Sequence, residues 1–273
     1  MERDLPIYDI HGTSFIVDVE YLCLEKAGTR NTSIYLNEMK DIGDGYEFEY
    51  SLKSAGPYWW LMDDDEPVTV KIPPFVELDP IGMAKKYNVP VKELKGKTDF
   101  EIMVDQHDYD LRLNKGVLPT ITILDDKFYV NIDKQMLCLD NSHSDKGISF
   151  EVFEIGSKYD IGYCMYLYDP VTKQLQKPDL ENLLDYPKGM VAVKLPHLSE
   201  MDPIAVNIKN GNPPEHRLKN MNFRLQRTAE IVPWKDTNLK PYIDFNREKA
   251  RLENFDKRLK EVRKNRQRRG KGI

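Results

Sequence analysis

The sequence predicts an α+β protein: two tandem homologous modules, each a mainly antiparallel sheet with short helices, followed by a basic C-terminal helix. Three observations carry this prediction. The stretch from Val70 to Gly82 returns without a gap at Val193 to Ala205, with seven identities in thirteen positions. Ahead of it, both halves show apolar residues alternating at the period of a half-buried strand. Past Val232-Pro233-Trp234, the pattern changes to helical spacing with dense positive charge.

Shorter matches extend the duplication toward the N-terminus. Leu5-Pro6 matches Leu118-Pro119, Phe15-Ile16-Val17 matches Phe128-Tyr129-Val130, Leu22-Cys23-Leu24 matches Leu137-Cys138-Leu139, and Gly45-Tyr46 matches Gly162-Tyr163. The spacing between copies grows along the chain, as insertions in surface loops of the second copy would make it do.

Taken in order, each copy opens with a hairpin. Residues 7–10 and 14–19 flank His11-Gly12, and Phe15, Val17 and Val19 share one face. In the second copy Phe128, Val130 and Ile132 take that face, with Asp125-Asp126 in the turn. Further strands are expected over 46–52, 68–72 and 100–104, with counterparts near 162–168, 190–195 and 223–226. The helix of each copy follows an Asp-Pro pair. Asp79 can accept from a free first-turn amide, and Pro80 fits the next position because its missing N–H would be unpaired there. The helix runs through Tyr87, Pro90 closes it, and a second short helix is expected over 91–95; Asp202-Pro203 starts the equivalent helix. From about Asp244 to Arg268 a charged helix carries Phe245, Leu252, Phe255, Leu259 and Val262 at coiled-coil spacing. The expected domains are 1–113, 114–235 and a C-terminal segment over 236–273 with a frayed basic end.

Composition narrows the classes of function. No apolar run is long enough to cross a membrane, and Met1-Glu2-Arg3-Asp4 does not open a secretion signal, so a cytoplasmic protein is expected. Three cysteines without CxxC spacing argue against a disulfide framework or structural zinc; Cys23 and Cys138 read as small buried apolar residues. Charge is divided unevenly. Residues 247–273 carry 12 Lys/Arg against 4 Asp/Glu, whereas residues 1–246 carry 28 against 41. An acidic body repels nucleic acid and a basic end attracts it.

Features kept in both copies are turn residues, apolar alternation, helix caps and prolines, all of which serve a fold. Function is therefore sought in what the copies do not share. Gly96-Lys97-Thr98 ends like a phosphate loop but has Val91 where that loop needs glycine. The five histidines, His11, His107, His143, His197 and His216, show no HExxH and no ligand spacing, and no serine sits in a GxSxG elbow. No catalytic residue, metal ligand or cofactor is assigned. Trp59 and Trp60, present in the first copy alone, either plug the interface between the two modules or form a partner-binding knob or stacking platform, and they are candidate partner-binding residues alongside Leu252, Phe255, Leu259 and Val262. Arg263, Lys264, Arg266, Arg268, Arg269 and Lys271, with no acid among them, form a candidate nucleic-acid-binding end.

Leu-Pro, then Phe-x-Val-Asp/Asn, then Ile/Leu-Pro before Leu/Met-Asp-Pro-Ile occurs twice. Together with the stretch from Leu78 to Tyr87 and Val232-Pro233-Trp234, this pattern resembles a family of two-module proteins associated with conjugative-transposon-like mobile elements of gut anaerobes. The resemblance implies a cytoplasmic accessory protein of mobile DNA and brings no catalytic residue with it.

The expected function is that of a non-enzymatic binding or adaptor protein, contacting a protein partner or DNA or RNA through the C-terminal helix and its basic end, with weak self-association open to the same helix. Two alternatives stand beside it. One is an acidic DNA mimic that inhibits a host defence nuclease. The other is a metal-dependent nuclease built on Asp63, Asp64, Asp65 and Glu66.

Overall fold

The computed structural model describes residues 3–29, 32–58, 66–140, 146–154 and 164–269, with side chains described as far as Val262. The fold is mixed α+β, with several antiparallel sheets and a C-terminal helix. It divides into two compact units, residues 1–115 with 207–223, and residues 116–206 with 224–273. The sequence reading assigned 207–223 to the second module.

In the first unit, β1 (Ile7–Ile10), β2 (Thr13–Asp18), β3 (Cys23–Lys26) and β4 (Ser33–Tyr35) form an antiparallel meander in chain order. Ile10 pairs with Thr13, so His11-Gly12 is a two-residue turn, with φ of +49° and +78°. Gly12 suits a left-handed position that disfavours a side chain. Val17 pairs with Leu24 and Leu24 with Ile34, giving a buried apolar line across three strands. A second sheet is built on β6, from β5 (Lys40–Asp41), β6 (Tyr46–Ser51), β7 (Gly56–Pro57) and β8 (Val68–Ile72). Strand β8 pairs along one edge of β6, while β5 and β7 share the other. One core joins Phe15, Leu24, Ile34, Tyr50, Phe75 and Met83.

The helices of this unit are α1 (Phe75–Leu78), α2 (Pro80–Tyr87), α3 (Asp99–Met103) and α4 (Gln106–Leu113). Helix α2 starts as its Asp-Pro pair predicts: Asp79 accepts from the Gly82 amide at 2.9 Å, and Pro80 takes the first helical position. The second short helix expected after Pro90 is a 3-10 turn, Val91–Glu93. The strand expected over 100–104 is helix α3. A capping box overrides the apolar alternation there: the Glu101 amide donates to Thr98 Oγ1 at 3.2 Å and the Thr98 amide to Glu101 Oε2 at 2.8 Å.

The second unit contains β9 (Thr120–Ile123), β10 (Asp126–Asn131), β11 (Met136–Cys138), β12 (Gly147–Ser149), α5 (Glu151–Glu154), β13 (Met165–Asp169), β14 (Gln174–Gln176), β15 (Val191–Lys194) and α6 (Leu198–Met201). It continues with α7 (Pro203–Lys209), β16 (Gln226–Thr228), β17 (Glu230–Val232) and α8 (Leu239–Arg269), the last three residues of α7 belonging to the first unit. Strands β9 to β12 form an antiparallel meander, and β16 joins it parallel to β9. The strand anticipated over 223–226 thus lies three residues later. The other sheet runs β14-β13-β15-β17. In the meander, the turn between β9 and β10 is Leu124-Asp125, one residue before the expected pair, because Ile123 pairs with Asp126.

The register also revises one sequence match. Val17 pairs with Leu24 in the first meander and Val130 with Leu137 in the second. The counterpart of Leu137 by position is Leu24, not Leu22, and the two cysteines, both buried, occupy different register positions. Leu22 and Gln135, at matching points in the turns, both take left-handed φ values, +51° and +54°. Among the described residues, no helix is long and apolar enough to cross a membrane.

Candidate functional site

Helix α8 grows out of the second unit through a polar clamp. Thr237 Oγ1 donates to the Trp234 carbonyl at 2.7 Å and accepts from the Leu239 amide at 3.5 Å, tying the helix start to the turn before it. Leu239 and Ile243 are buried against Leu167, Leu180, Ala192 and Val232. One turn further, Asn246 Nδ2 donates to the carbonyls of Leu180 and Leu183 at 2.8 and 3.0 Å, and Arg247 Nε donates to that of Leu184 at 2.7 Å. The root is therefore held by apolar burial and by three hydrogen bonds to one loop.

Past Arg247 the helix leaves the unit, and apart from half-buried Ala250 its side chains are exposed through Val262. Phe245 is 68% exposed, Leu252 57%, Phe255 59%, Leu259 38% and Val262 51%. At about 100° per residue, these five share one side of the helix, half a turn away from Leu239, Ile243 and Asn246. An apolar seam in water on a polar helix, broken on its own face only by Glu248 among the described residues, marks an interaction surface. A hollow of about 510 Å³ beside the root, lined by Leu180, Tyr242 and Phe245 among others, continues it.

Leu252, Phe255, Leu259 and Val262, named from sequence as partner-binding, thus lie together on this seam. Trp59 and Trp60 fall outside the described residues. The helix continues through Arg263, Lys264, Arg266, Arg268 and Arg269, whose side chains are not among those described, and Lys271 lies beyond them. Asp63, Asp64 and Asp65 also fall outside, while Glu66 is exposed. Among the described residues, no three His, Cys, Asp or Glu side chains gather to hold a metal.

Sequence reasoning missed a cleft in the first unit. The segment 207–223 carries Lys219 over the ring of Tyr46, 4.7 Å from its centroid, where it hydrogen-bonds the phenol oxygen at 3.1 Å and ion-pairs with Asp41. The Tyr46 hydroxyl donates to buried Asp99 at 2.7 Å, and Asp99 also accepts from the amides of Phe75 and Val76 at 2.7 and 2.8 Å. Burial first, then the charge of Asp99, pushes the Tyr46 phenol far above its usual range. A space of about 430 Å³ opens here, lined by Glu38, Asp41, Tyr46, His216, Arg217 and Lys219 among others.

Asn207 supports the segment by donating to the carbonyls of Pro214 and His216 at 3.0 and 2.8 Å. Lys219 bonds Tyr46 and Asp41, Tyr46 bonds Asp99, and Asp99 anchors the start of α1, which makes this network a latch for the segment. The one local signal for it was the Thr98–Glu101 capping box, which places Asp99 at the start of a helix. Its partners come from positions more than 20 residues away in sequence.

The histidines are scattered. His11 sits in the β1–β2 turn and stacks on Tyr50, His197 caps α6, His107 lies in α4, His216 lines the cleft, and His143 is outside the described residues. Compared with protein-family models, curated proteins and solved structures, the chain matches none.

Proposed function

We propose that this is a cytoplasmic, non-enzymatic binding protein, an adaptor accessory to a mobile genetic element, whose docking element is helix α8. The carrying observation is the exposed apolar seam on the side of the helix opposite its buried root. A seam placed there is free to receive a protein partner without disturbing the unit that holds it. The mobile-element association rests on the repeated Leu/Met-Asp-Pro-Ile motif and its flanks.

The two units are, on this proposal, modules descended from one folding unit. Support comes from the shared meander register, from the Phe15–Tyr50 and Phe128–Tyr168 edge-to-face pairs, each with centroids 6.2 Å apart, and from the near-identical backbone of Asp79 and Asp202 (φ −145°, ψ 73° and φ −144°, ψ 72°). The basic end beyond Val262 adds affinity for polyanions, DNA or RNA, through phosphate neutralisation.

The test is the paired substitution Leu252→Asp with Phe255→Asp in the full chain. Both side chains are exposed, so circular dichroism and melting temperature should stay unchanged while protein partners recovered after nuclease treatment are lost. Undiminished recovery by the variant would sink the docking role. Replacing the six basic residues of the end by Gln should instead flatten the salt dependence of nucleic-acid binding. Truncation is a poorer test: ending the chain at Lys240 removes Ile243 and Asn246 from the root.

A further inference from the structure

We infer that the seam of α8 is covered by the same seam of a second copy of this chain, the two helices running antiparallel about a two-fold axis near Glu253 and Asn254. This rests on the docking role proposed above and names the partner.

The heptad assigns the pairing. Phe245, Leu252 and Leu259 stand seven apart, and Glu248, Phe255 and Val262 form the second row of the seam. One antiparallel register uses all six positions: Phe245 faces Val262 of the other copy, Glu248 faces Leu259, and Leu252 faces Phe255. An isologous contact of this kind closes on itself and leaves no seam exposed.

Charge selects the direction. Parallel helices would stack Glu248 on Glu248 within an apolar seam, where a like-charged pair is costly. They would also bring together two ends that each carry Arg263, Lys264, Arg266, Arg268, Arg269 and Lys271 without an acidic residue. The antiparallel arrangement separates those ends. Lys249 meets Asp256 of the other copy, twice by symmetry. Arg251 meets Arg258 of the other copy, likewise twice, and at each contact Glu248, 3.5 Å from Arg251 in its own chain, falls beside the pair and offsets it. The parallel arrangement has its own favourable pairs, Asp244 with Lys249 and Arg251 with Asp256. Those are exposed ion pairs of small value, set against a buried carboxylate pair and two clustered cationic ends.

The root does not obstruct this dimer, because the seam and the face buried on the second unit lie on opposite sides of α8.

The experiment measures mass by light scattering or sedimentation over a wide range of concentration, on the full chain and on Leu252→Asp/Phe255→Asp. The full chain should approach twice its 31.9 kDa mass, and the double variant should stay monomeric at every concentration. Direction is read by mixing differently tagged Leu252→Cys and Phe255→Cys chains, each also carrying Cys164→Ser, under mild oxidation. Mixed disulfides should dominate. Dominance of Leu252→Cys homodimers would mean parallel helices and overturn the inference, as would a full chain that is monomeric throughout. If the full chain is monomeric and the double variant still loses its protein partners, the inference alone fails. If the double variant changes neither mass nor partner binding, the docking role fails with it.

Discussion

The two units pack the same aromatic pair in two different polar settings. Phe15 meets Tyr50 in the first and Phe128 meets Tyr168 in the second, edge to face in both. The Tyr168 hydroxyl donates to Asp126 at 2.6 Å, and Asp126 is also paired with Lys173 at 2.5 Å. The position matching Asp126 is Thr13, and among the described residues the buried Tyr50 hydroxyl has no hydrogen-bond partner. The Asp-Pro helix starts differ in the same way. Asp79 is gripped by both terminal nitrogens of Arg3 and caps α2 at Gly82, while Asp202 caps α7 at Ala205. A Cβ on Gly82 would collide with Asp79, Val19 and Arg3, so the glycine makes room for the arginine. Apolar geometry repeats between the units, and the polar groups are satisfied anew in each.

The comparison breaks most sharply where the first unit uses a buried carboxylate and the second does not. Asp99 accepts from Tyr46 and from two amides at the start of α1, whereas exposed His197 caps the start of α6 at the Ser199 amide. Asp99→Ala should destabilise the first unit by about 3 kcal/mol or more, because three buried donors lose their acceptor. His197→Ala should cost under about 1 kcal/mol. Hydrogen exchange of the 75–87 and 198–209 peptides would compare them; equal losses of protection would contradict the distinction.

Gly82→Ala comes next, with an expected loss of about 2 kcal/mol from overpacking. Arg3→Ala alone should also destabilise, because it strips buried Asp79 of its ion pair, but in that background Gly82→Ala should cost less than in the unsubstituted chain, since one of the three colliding groups is gone. The reverse exchange, Ala205→Gly, should cost about 1 kcal/mol through helix propensity. Urea unfolding of the four variants reads these values, and a neutral Gly82→Ala would refute the crowding argument.

The tyrosines sharpen the comparison by sign. Tyr168→Phe loses a hydrogen bond to a carboxylate and should cost about 1 kcal/mol. Tyr50→Phe removes a buried hydroxyl without a described partner and should be neutral or stabilising. Thermal melts of the two variants should therefore move in opposite directions or differ clearly in size.

The smallest effect is a pH dependence at Asp126, in the second unit. Lys173 first, then the Tyr168 hydroxyl, holds the Asp126 carboxyl below its usual range. A depressed folded pKa means that the stabilisation is complete above the unfolded value, near ~4, and disappears as pH falls through the folded value. Asp126→Asn should therefore lower stability at neutral pH and converge with the unsubstituted chain in acid. Parallel pH profiles of the two proteins would contradict this. Thr13→Val, at the matching position, should leave the acid limb unchanged.

Local pattern made much of the fold legible. Residues 7–10, 68–72 and 80–87 form the expected elements because alternation, an Asp-Pro start and a two-residue turn are each decided within a few residues. The seam on α8 was legible for the same reason, since seven-residue spacing is a property of the helix alone. The root at Ile243 and Asn246 was not, because it depends on Leu180 and Leu183, which lie some 60 residues earlier in the chain.

By itself, then, the sequence determined the α+β class, the opening hairpin of each half, the strands over 46–51, 68–72, 165–169 and 191–194, the helices that follow the two Asp-Pro pairs, and the charged helix with its apolar seam. Tertiary structure alone decided that 207–223 joins the first unit, that Leu24 rather than Leu22 matches Leu137, and that Asp99, Tyr46 and Lys219 meet. The physical reason is range. Periodicity and capping act within one or two turns of chain, whereas a buried polar group is satisfied by whichever distant segment the packing brings within about 3 Å.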